Sequence, residues 1–462
     1  MDSIYIKSER QTNMVNIKDS YDVIIIGSGG AGMTAAITAS DLGLDPIILE
    51  KTDKIGGNTN KASSGMNASE TSYQKQAGVD DKKEDFFQET LKGGHGTNDQ
   101  DLLHYFVDHS AQAIEWLADL GIVLDNLTIT GGMSKARTHR PHDGSAVGGY
   151  LVKGLKANVE ERQIPLLTQA NVKEILLEKG EVYGVKVAID GQDYEVNSQA
   201  VIIAAGGFGA NAKLVEAARP ELAGYVTTSG PGITGDGILM AQALGAGTVD
   251  MDQIQVHPTV HQEEGILIGE AVRGEGAILV DQQGQRFTNE LGTRDVVSQA
   301  ITDLPDHKAR LIFDQGVRDR AKAIEFYAAK GYVSEGADVK DLAEKIGLPP
   351  EKLVQTLSDY NQGLTDGSDA FGRSTGLHPL DQAPYYAIEI APGVHYTMGG
   401  LSIDQEGRVL KADSSGYIPG LYACGEVVGG LHGSNRIGGN SIGEIIVFGR
   451  LAGQKVAERV KG

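Results

Sequence analysis

The chain has 462 residues, a formal net charge of -21 and a single cysteine, Cys424. The acidic balance disfavours nucleic acid and acidic membrane surfaces as partners, because both select basic protein faces. One cysteine excludes an internal disulfide, a cysteine-ligated iron–sulfur cluster and the Cys-x-x-Cys-His haem attachment motif. The length exceeds what one hydrophobic core usually supports, so the sequence predicts two domains.

The N-terminal residues 1–20 are polar and contain no apolar h-region. No run of eighteen apolar residues occurs anywhere in the sequence. We therefore expect a disordered leader over residues 1–20 and a cytoplasmic protein without a membrane span.

A βαβ unit is predicted directly after the leader. Residues 22–26 form a β-branched run that ends in a glycine-rich turn, and an alanine-rich helix follows as far as Leu42. A second apolar run, Pro46–Leu49, ends in Glu50. The whole unit has about the thirty residues typical of a dinucleotide-binding βαβ unit.

The glycines of this turn match a dinucleotide fingerprint. Gly27, Gly29 and Gly32 fit the pattern G-x-G-x-x-G, in which phosphates approach the backbone at a helix N-terminus. Glu50 lies at the distance expected for a residue that binds ribose hydroxyls, and it disfavours a 2′-phosphate.

The remaining elements complete an α/β pattern. Periodic apolar residues predict a helix over residues 101–121, and residues 200–205 predict a buried parallel strand that opens on glycines. Between residues 310 and 360 the pattern changes to one short strand at 311–313 and charged helices at 338–345 and 351–360, which indicates a second domain. A closing helix is predicted over residues 441–460.

Two glycine-rich segments indicate a longer cofactor than a nicotinamide dinucleotide. Residues 56–67 contain more glycine and small polar residues than a nicotinamide site needs. Near the C-terminus, residues 424–427 predict a strand followed by a turn, and residues 438–441 predict glycines that lead into a helix. This pair is either an ordinary turn before the closing helix or a helix N-terminus that faces a flavin.

A concentration of charge beside glycines occurs over residues 255–294. His257, Glu270, Arg273 and Arg294 place cations and a carboxylate within this run. Such a group can bind an anionic substrate and transfer a proton to it, which a packed core does not require. The alternative for Arg294 is an ion pair with Asp295 or Glu290 on a solvated face.

Several motifs in one order resemble the soluble fumarate reductases, which include the flavoprotein part of flavocytochrome c and the yeast soluble enzymes. These belong to the wider succinate dehydrogenase and fumarate reductase flavoprotein superfamily. The resemblance runs from about Tyr21 to the C-terminus. Besides the glycine fingerprint it rests on residues 56–67, 137–141, 257–259, 270–274, 293–295, 395–400 and 435–440.

The resemblance implies an α/β architecture, with a Rossmann-like FAD-binding domain at residues 21–251 and 397–462. An α+β clamp (capping) domain would be inserted at residues 252–396. In the membrane-bound relatives a histidine in the region that matches residues 58–64 carries the flavin covalently, and these residues contain no histidine in this chain. The resemblance therefore implies non-covalent FAD. The implied cofactor-binding residues are Gly27, Gly29, Gly32, Glu50, Lys51, Asn58, Thr59, Ser64, Gly65, Val172, Asp236, Tyr396, Glu426, Ser441 and Ile442.

The resemblance also implies roles in reduction of a C=C bond. His395 and Arg436 would bind a substrate carboxylate, and His257, Gly269 and Glu270 would also face the substrate. Arg294 would donate the proton, and Glu270 with Arg273 would return protons to it. A guanidinium is a poor acid, since its pKa is about 12.5 to 13.8. We expect His139 and Arg140 to orient a loop or touch the flavin, and we predict no metal site.

The chain departs from the family pattern at Thr130, Leu267 and Gly269, where a threonine hydroxyl is lost although backbone amides remain. Fumarate is the expected dicarboxylate substrate, and other 2-enoates such as urocanate or acrylate-like acids stay open. Two further alternatives are an L-aspartate oxidase and a flavin electron carrier without turnover. The expected electron donor is a reduced flavin, an NADH-linked flavoprotein or a quinol.

Overall fold

The structure, a computed structural model, describes residues 17–462. The chain divides into two compact units. The main unit contains residues 17–223 together with Ser229–Ile254 and Tyr396–Gly462, and the inserted unit contains Gly224–Thr228 and Gln255–His395. Residues 1–16 of the predicted leader lie outside the described residues, and the first strand begins at Ser20.

The unit boundaries differ from the predicted ones by up to three residues, and residues 224–228 belong with the inserted unit. The reason is backbone pairing with the last strand of that unit. The Thr228 amide donates to the Val394 carbonyl at 2.9 Å, and the Val394 amide donates to the Val226 carbonyl at 2.8 Å. A short paired segment of this kind carries no signal in composition or periodicity.

The strands are numbered in chain order. They are β1 Ser20–Ile26, β2 Pro46–Leu49, β3 Met66–Asn67, β4 Asn126–Thr128, β5 Thr138–Arg140, β6 Leu166–Leu167, β7 Ala170–Glu178, β8 Glu181–Ile189, β9 Gln192–Ile203, β10 Thr248–Val249, β11 Ile254–His261, β12 Ile266–Leu267, β13 Ile278–Val280, β14 Ala309–Asp314, β15 Ser334–Gly336, β16 Tyr385–Thr397, β17 Gly400–Leu401, β18 Arg408–Leu410 and β19 Tyr417–Ala423.

The helices are numbered in the same way. They are α1 Gly30–Asp41, α2 Ser72–Gln76, α3 Lys83–Gly93, α4 Gln100–Asp119, α5 Val147–Glu161, α6 Ala212–Ala218, α7 Asp236–Ala243, α8 Glu270–Gly274, α9 Arg294–Thr302, α10 Gln315–Arg320, α11 Ala323–Ala329, α12 Val339–Lys345, α13 Pro350–Thr365 and α14 Asn440–Lys461. Short 3₁₀ turns lie at Gly57–Lys61 and Pro220–Leu222.

The main unit is built on a largely parallel sheet. Its strand order is β18-β19-β9-β1-β2-β6, and β8 and β7 extend it from β9 in antiparallel fashion. Strands β19, β9, β1, β2 and β6 run parallel to one another, and β18 pairs with β19 in antiparallel fashion. Residues 23–26 and 47–49 are all buried, as expected for parallel strands that are covered on both faces.

Two helices of the main unit pack closely because of glycines on α14. A Cβ at Gly449 would lie 2.8 Å from the Ala31 carbonyl oxygen, and one at Gly453 would lie 2.7 Å from that of Ala35. Close backbone approach between α1 and α14 therefore depends on these two positions. This packing determines how α14 lies against α1.

The inserted unit contains a second sheet with the strand order β12-β11-β16-β14-β13, and β15 also pairs with β16. Its core joins Ile312 and Phe313 of β14, Ile388 of β16, and Leu353 and Leu357 of α13. The unit has the α+β character that the sequence predicts.

The predicted elements recur with shifted ends. The helix predicted over 101–121 is α4, which begins at Gln100 because the Asp99 carboxylate accepts from the Asp101 and Leu102 amides. The strand predicted at 200–205 is β9, which ends at Ile203 and begins at Gln192 because it also pairs with β8. Helices α10 and α11 and strand β15 were not predicted, since they are short and mixed in polarity.

Candidate active site

The three glycines of the fingerprint have three different surroundings. A Cβ at Gly27 would lie 2.4 Å from the Ala204 carbonyl oxygen, and one at Gly32 would lie 2.0 Å from the Gly27 carbonyl oxygen. A Cβ at Gly29 would meet only Thr59 Oγ1, at 3.8 Å. The first and third glycines are therefore required by packing, while the second faces open space at the N-terminus of α1, where a phosphate can approach.

Glu50 is a buried carboxylate at the end of β2. One of its oxygens accepts from the Ser28 amide at 3.1 Å and the Ser28 hydroxyl at 2.7 Å. The other accepts from the Thr52 amide at 2.9 Å and the Thr52 hydroxyl at 2.8 Å. These four bonds match the four or so lone-pair sites of a carboxylate, so a ribose hydroxyl that bound Glu50 would have to replace one of the two side-chain hydroxyls.

Lys51 and Asp236, both predicted to bind the cofactor, are paired with each other. Lys51 Nζ lies 2.6 Å from Asp236 Oδ2 and 2.6 Å from Thr234 Oγ1. Val172, predicted in the same role, is buried on β7. The Lys51–Asp236 ion pair brings together residues 185 positions apart in the sequence.

A second buried carboxylate, Glu426, joins four distant segments of the main unit. It accepts from Asn58 Nδ2 at 3.1 Å and from the Thr397 amide at 3.2 Å. Asn58 in turn accepts from the Gly230 amide at 2.8 Å. Burial raises the pKa of Glu426 to about 7, because its hydrogen bonds to Asn58 and Thr397 only partly offset the loss of solvent.

Of the other predicted cofactor residues, Tyr396 lies in strand β16, and the rest lie in glycine-rich turns or at a helix N-terminus. Thr59 is buried and accepts from the Gly30 amide at 3.0 Å, and a Cβ at Gly65, which follows Ser64, would lie 2.3 Å from the His139 carbonyl oxygen. Ser441 and Ile442 lie in the first turn of α14. These positions leave main-chain groups, rather than bulky side chains, along the turns.

His139 and Arg140 lie in strand β5, and Arg140 Nη2 donates to the Ser63 carbonyl at 2.9 Å. His139 is fully buried between the Thr71 hydroxyl at 2.8 Å and the Arg137 carbonyl at 2.7 Å. Burial lowers the pKa of His139 to about 4. It is a neutral packing residue near pH 7, beside the buried ion pair of Arg137 with Asp81.

Arg436 is buried in the main unit. Its guanidinium carbon lies 4.2 Å from the centre of the Tyr396 ring. This ring belongs to a residue 40 positions away in the sequence, so no local pattern around Arg436 indicates the contact.

In the inserted unit, Arg294 begins α9 and Glu270 begins α8. Arg294 Nε lies 2.7 Å from Glu270 Oε1, and Arg294 Nη1 donates to Gln255 Oε1 at 2.7 Å. Arg273 Nη2 lies 4.0 Å from the same Glu270 oxygen. The three predicted residues of the proton path therefore form one chain of contacts, Arg294–Glu270–Arg273.

The two arginines determine the charge of Glu270. Burial alone would raise the pKa of Glu270, but the positive charges of Arg294 and Arg273 outweigh it and lower the pKa to about 2. The pKa of Arg273 is also lowered, first by its complete burial and then by Arg294 and Arg373, against the attraction of Glu270. Glu270 is thus an anion near pH 7, and its side chain is 36% exposed.

His257 and His395 also face each other within the inserted unit, with ring centres 5.3 Å apart. The Thr259 amide donates to His257 Nδ1 at 3.2 Å, so in the neutral ring the proton is on Nε2. That atom lies 3.9 Å from Glu270 Oε1. His395 Nδ1 lies 2.7 Å from the Thr228 hydroxyl.

The three departures from the family pattern lie in both units. Thr130 Oγ1 is 2.7 Å from Thr138 Oγ1, and Leu267 is in β12. The Gly269 amide donates to the Tyr327 hydroxyl at 2.9 Å, so it is already engaged. The expectation that backbone amides remain for a substrate carboxylate does not hold for Gly269 while Tyr327 keeps this position.

Sequence reasoning missed the residues that hold Arg273. Arg273 Nη1 donates to the Glu290 carbonyl at 2.6 Å, and the Arg373 guanidinium donates to the Arg273 carbonyl at 2.6 Å and to Glu290 Oε2 at 3.3 Å. Arg286 binds the same carboxylate through two nitrogens. Glu290 is therefore committed to Arg286 and Arg373, and the carboxylate paired with Arg294 is Glu270.

Comparison with known proteins places these features in a family. Residues 22–442 match the model of the FAD binding domain. The chain is 52% identical over 446 residues to an NADH:fumarate oxidoreductase of Klebsiella pneumoniae, covering 96% of this chain and 48% of that protein. It is 41% identical over 459 residues to a fumarate reductase (cytochrome) of Shewanella frigidimarina, covering 98% of this chain and 80% of that protein.

The chain belongs to the fumarate reductase flavoprotein family. A solved structure of the open conformation of a flavocytochrome c3 fumarate reductase is similar, with a TM-score of 0.85 and 38% identity. The match covers 96% of this chain and 79% of that chain. The fold is the predicted Rossmann-like FAD-binding domain with a capping domain. The chain spans about half the length of the Klebsiella relative.

FAD is the cofactor of this family member, and the main unit fits it. The open position at Gly29, the buried Glu50 at the end of β2 and the glycine-rich start of α14 suit the pyrophosphate, a ribose and the flavin side of a dinucleotide. Among residues 17–462, no helix is long and apolar enough to cross a membrane.

The fingerprint glycines give a matched pair of variants. Gly29→Ala is expected to fold normally but to lose FAD, because the new methyl group stands in the open position that a pyrophosphate needs. Gly32→Ala is expected to cost more than about 3 kcal/mol of stability, because its methyl group would collide with the Gly27 carbonyl. Thermal unfolding and flavin absorbance distinguish the two effects. A stable Gly32→Ala protein, or full flavin in Gly29→Ala, would contradict this reading of the turn.

The raised pKa of Glu426 predicts that the stability of the flavin-free protein depends on pH. Because its folded pKa of about 7 exceeds the ordinary 4.5, the folded state binds more protons between these values, and stability falls as pH rises through this range. The loss is about 3 kcal/mol. Measured from pH 4.5 to pH 8, the difference in unfolding free energy between wild type and Glu426→Gln should change by this amount. A constant difference would show that Glu426 ionises normally.

Proposed function

We propose that this chain reduces the C=C bond of an unsaturated carboxylate, with fumarate to succinate as the reaction. The observation that carries the proposal is the Arg294–Glu270–Arg273 chain of contacts, with distances of 2.7 and 4.0 Å. In this chain the proton donor Arg294 contacts the Glu270 anion, and Glu270 contacts the buried cation Arg273. Proton delivery to Arg294 needs this order. The identity to fumarate reductases over nearly the whole chain supports the same reaction.

The reaction balances as one hydride and one proton added across the double bond. FAD, when bound and reduced, supplies the hydride. The π electrons of the substrate then form an enolate-like carbon beside a carboxylate, and Arg294 gives its proton to that carbon to form the new C–H bond. The neutral guanidine of Arg294 is then reprotonated from the side of Glu270 and Arg273.

Arginine can serve as this acid because its proton goes to a strong base, and because the residues that would replace the proton are in contact with it. Arg273 is fully buried near Arg294, and the two cations share one carboxylate, Glu270. An enolate-like carbon is strongly basic, so the transfer runs downhill even from a weak acid. With a pKa of about 2, Glu270 holds a proton only in passing, and it conducts protons between the arginines rather than storing them.

We assign the carboxylate groups of the substrate to His395, Arg436 and His257. A guanidinium suits this role because its planar fork binds a carboxylate through two parallel hydrogen bonds. A cation that binds a carboxylate also stabilises the negative charge that develops when hydride adds. Binding and rate therefore depend on the same residues.

A second candidate substrate is an acrylate-like 2-enoate with one carboxylate. The specific observation in its favour is the Gly269 amide, which donates to the Tyr327 hydroxyl at 2.9 Å. A fumarate whose second carboxylate needs this amide would have to displace Tyr327. A substrate with a single carboxylate would leave that bond intact.

We further propose an NADH-linked flavoprotein as the electron donor. The support is the 52% identity to an NADH:fumarate oxidoreductase, of which this chain covers 48%. The expected result is that NADH alone does not reduce the bound flavin at a useful rate, whereas NADH with a diaphorase-type flavoprotein does. Rapid direct reduction by NADH would contradict this donor.

An anaerobic assay with reduced methyl viologen tests the substrate without knowledge of the donor. Viologen oxidation is followed with fumarate, urocanate, acrylate and a buffer blank, and a separate aerobic sample receives L-aspartate. We expect fumarate to give the highest kcat/KM and succinate to accumulate. Turnover with acrylate alone would establish the second candidate. Hydrogen peroxide from L-aspartate would identify an oxidase, and no turnover with any acid would leave an electron carrier.

A further inference from the structure

Behind Arg436 lies a group of buried polar side chains that the proposed reaction does not use. The guanidinium carbon of Arg436 lies 4.2 Å from the centre of the Tyr396 ring. The Tyr396 hydroxyl donates to Glu444 Oε2 at 2.7 Å, and His432 Nε2 lies 2.9 Å from the same oxygen. All four side chains are buried.

Buried polar groups of this kind are costly unless every member has a partner. Glu444 stands in the second turn of α14, four residues after the helix begins at Asn440. A leucine there would complete an apolar helix face without this cost. The sequence instead has a carboxylate at this position. It accepts from the Tyr396 hydroxyl and lies 2.9 Å from His432 Nε2.

The phenol is held as a hydrogen-bond donor. Burial, and then the nearby carboxylates of Glu444 and Glu426, raise the pKa of Tyr396 well above its ordinary value, against the opposing effect of Arg436. The hydroxyl is therefore protonated at working pH, and its bond to Glu444 fixes the rotation of the ring. The ring face then sets the plane in which the Arg436 guanidinium lies.

We infer that Tyr396, Glu444 and His432 form a buried platform that orients the Arg436 guanidinium for a substrate carboxylate. Tyr396 is a positioning residue in this scheme, and Glu444 and His432 act on Arg436 through it. The inference rests on the proposed function only in that Arg436 binds the substrate. It adds an explanation of how a long flexible side chain keeps one orientation.

The test compares two variants at Tyr396 with one at Arg436. Tyr396→Phe keeps the ring but loses the bond to Glu444, and Tyr396→Leu loses both. We expect KM for fumarate to rise about threefold in Tyr396→Phe and about tenfold in Tyr396→Leu. Tyr422→Leu removes another buried tyrosine ring of the same unit, and it should leave KM unchanged. Flavin content and thermal midpoint are recorded for every variant.

A double-mutant cycle separates positioning from general disturbance. In an Arg436→Lys background, which has no guanidinium plane to orient, Tyr396→Leu should raise KM by less than about twofold. The same tenfold rise in both backgrounds would overturn the inference, because the ring would then act independently of Arg436. Tyr396 is also one of the implied cofactor-binding residues, so every KM is measured on protein that is saturated with FAD.

The effect of Arg436→Lys on KM distinguishes failure of the Arg436 assignment from failure of the platform inference. If Arg436→Lys leaves KM unchanged, the assignment of Arg436 to the substrate fails and the platform has no function to support. If Arg436→Lys raises KM while both Tyr396 variants behave like wild type, the assignment stands and the platform inference is wrong.

Discussion

Arg294→Ala is expected to lower kcat for fumarate by about 10³-fold or more, while the protein keeps its flavin and its fold. A positioned general acid contributes typically 10² to 10⁴-fold, and the same guanidinium stabilises developing negative charge. The flavin should remain because Arg294 lies in the inserted unit and contacts Glu270 and Gln255. Steady-state turnover with reduced viologen, with flavin absorbance as a check, measures the effect.

Three companion variants sharpen this result. Arg294→Lys keeps the positive charge but loses the Nη group that reaches Gln255, so it should recover only a small part of the rate. Glu270→Gln should cost about 10²-fold, because an amide cannot pass protons between the arginines. Arg318→Ala, which removes an arginine paired with Glu325 elsewhere in the inserted unit, should be close to wild type. Turnover of Arg294→Ala within tenfold of wild type would remove Arg294 from the mechanism.

Arg436→Ala is expected to raise KM for fumarate by about 10²-fold and to lower kcat as well. Hydrogen bonds to charged groups are worth about 1.5 to 3 kcal/mol, and a bidentate contact loses two of them. A lower kcat follows because a cation that binds the carboxylate also stabilises the charge that develops as hydride adds. Initial rates over a wide range of fumarate concentrations separate the two parameters.

The matched control for Arg436 is Arg459→Ala, which removes an arginine from the far end of α14, where it pairs with Glu181. It should leave both parameters unchanged. A change in kcat alone, with KM as in wild type, would show that Arg436 acts only in the transition state. Unchanged kcat and KM would mean that the carboxylate is bound elsewhere.

The parts of the fold that depend on short-range pattern were predictable. Residues 23–26 and 47–49 are continuous buried runs beside glycines, and such runs indicate parallel strands before a phosphate-binding turn. Glu270 and Arg273 are three residues apart, so any helix over them places both on one face. The structure has that helix, α8.

The parts that depend on distant contacts were not predictable. Gln255 and Glu270 meet Arg294 across 39 and 24 positions, and no local spacing indicates either pair. Glu444 lies within the predicted closing helix, where a buried carboxylate gives no periodic signal. Arg373 lies in an irregular loop, and only its bonds to Arg273 and Glu290 reveal its place.

The most direct test of the central claim is a single-turnover experiment without oxygen. The flavin of the purified protein is reduced chemically, the excess reductant is removed, and the sample is mixed with fumarate while flavin absorbance is recorded. The account predicts rapid return of oxidised flavin with an equal amount of succinate in wild type, and a return slowed by about 10³-fold in Arg294→Ala. Flavin that stays reduced in the presence of fumarate, yet reoxidises normally in air, would contradict it.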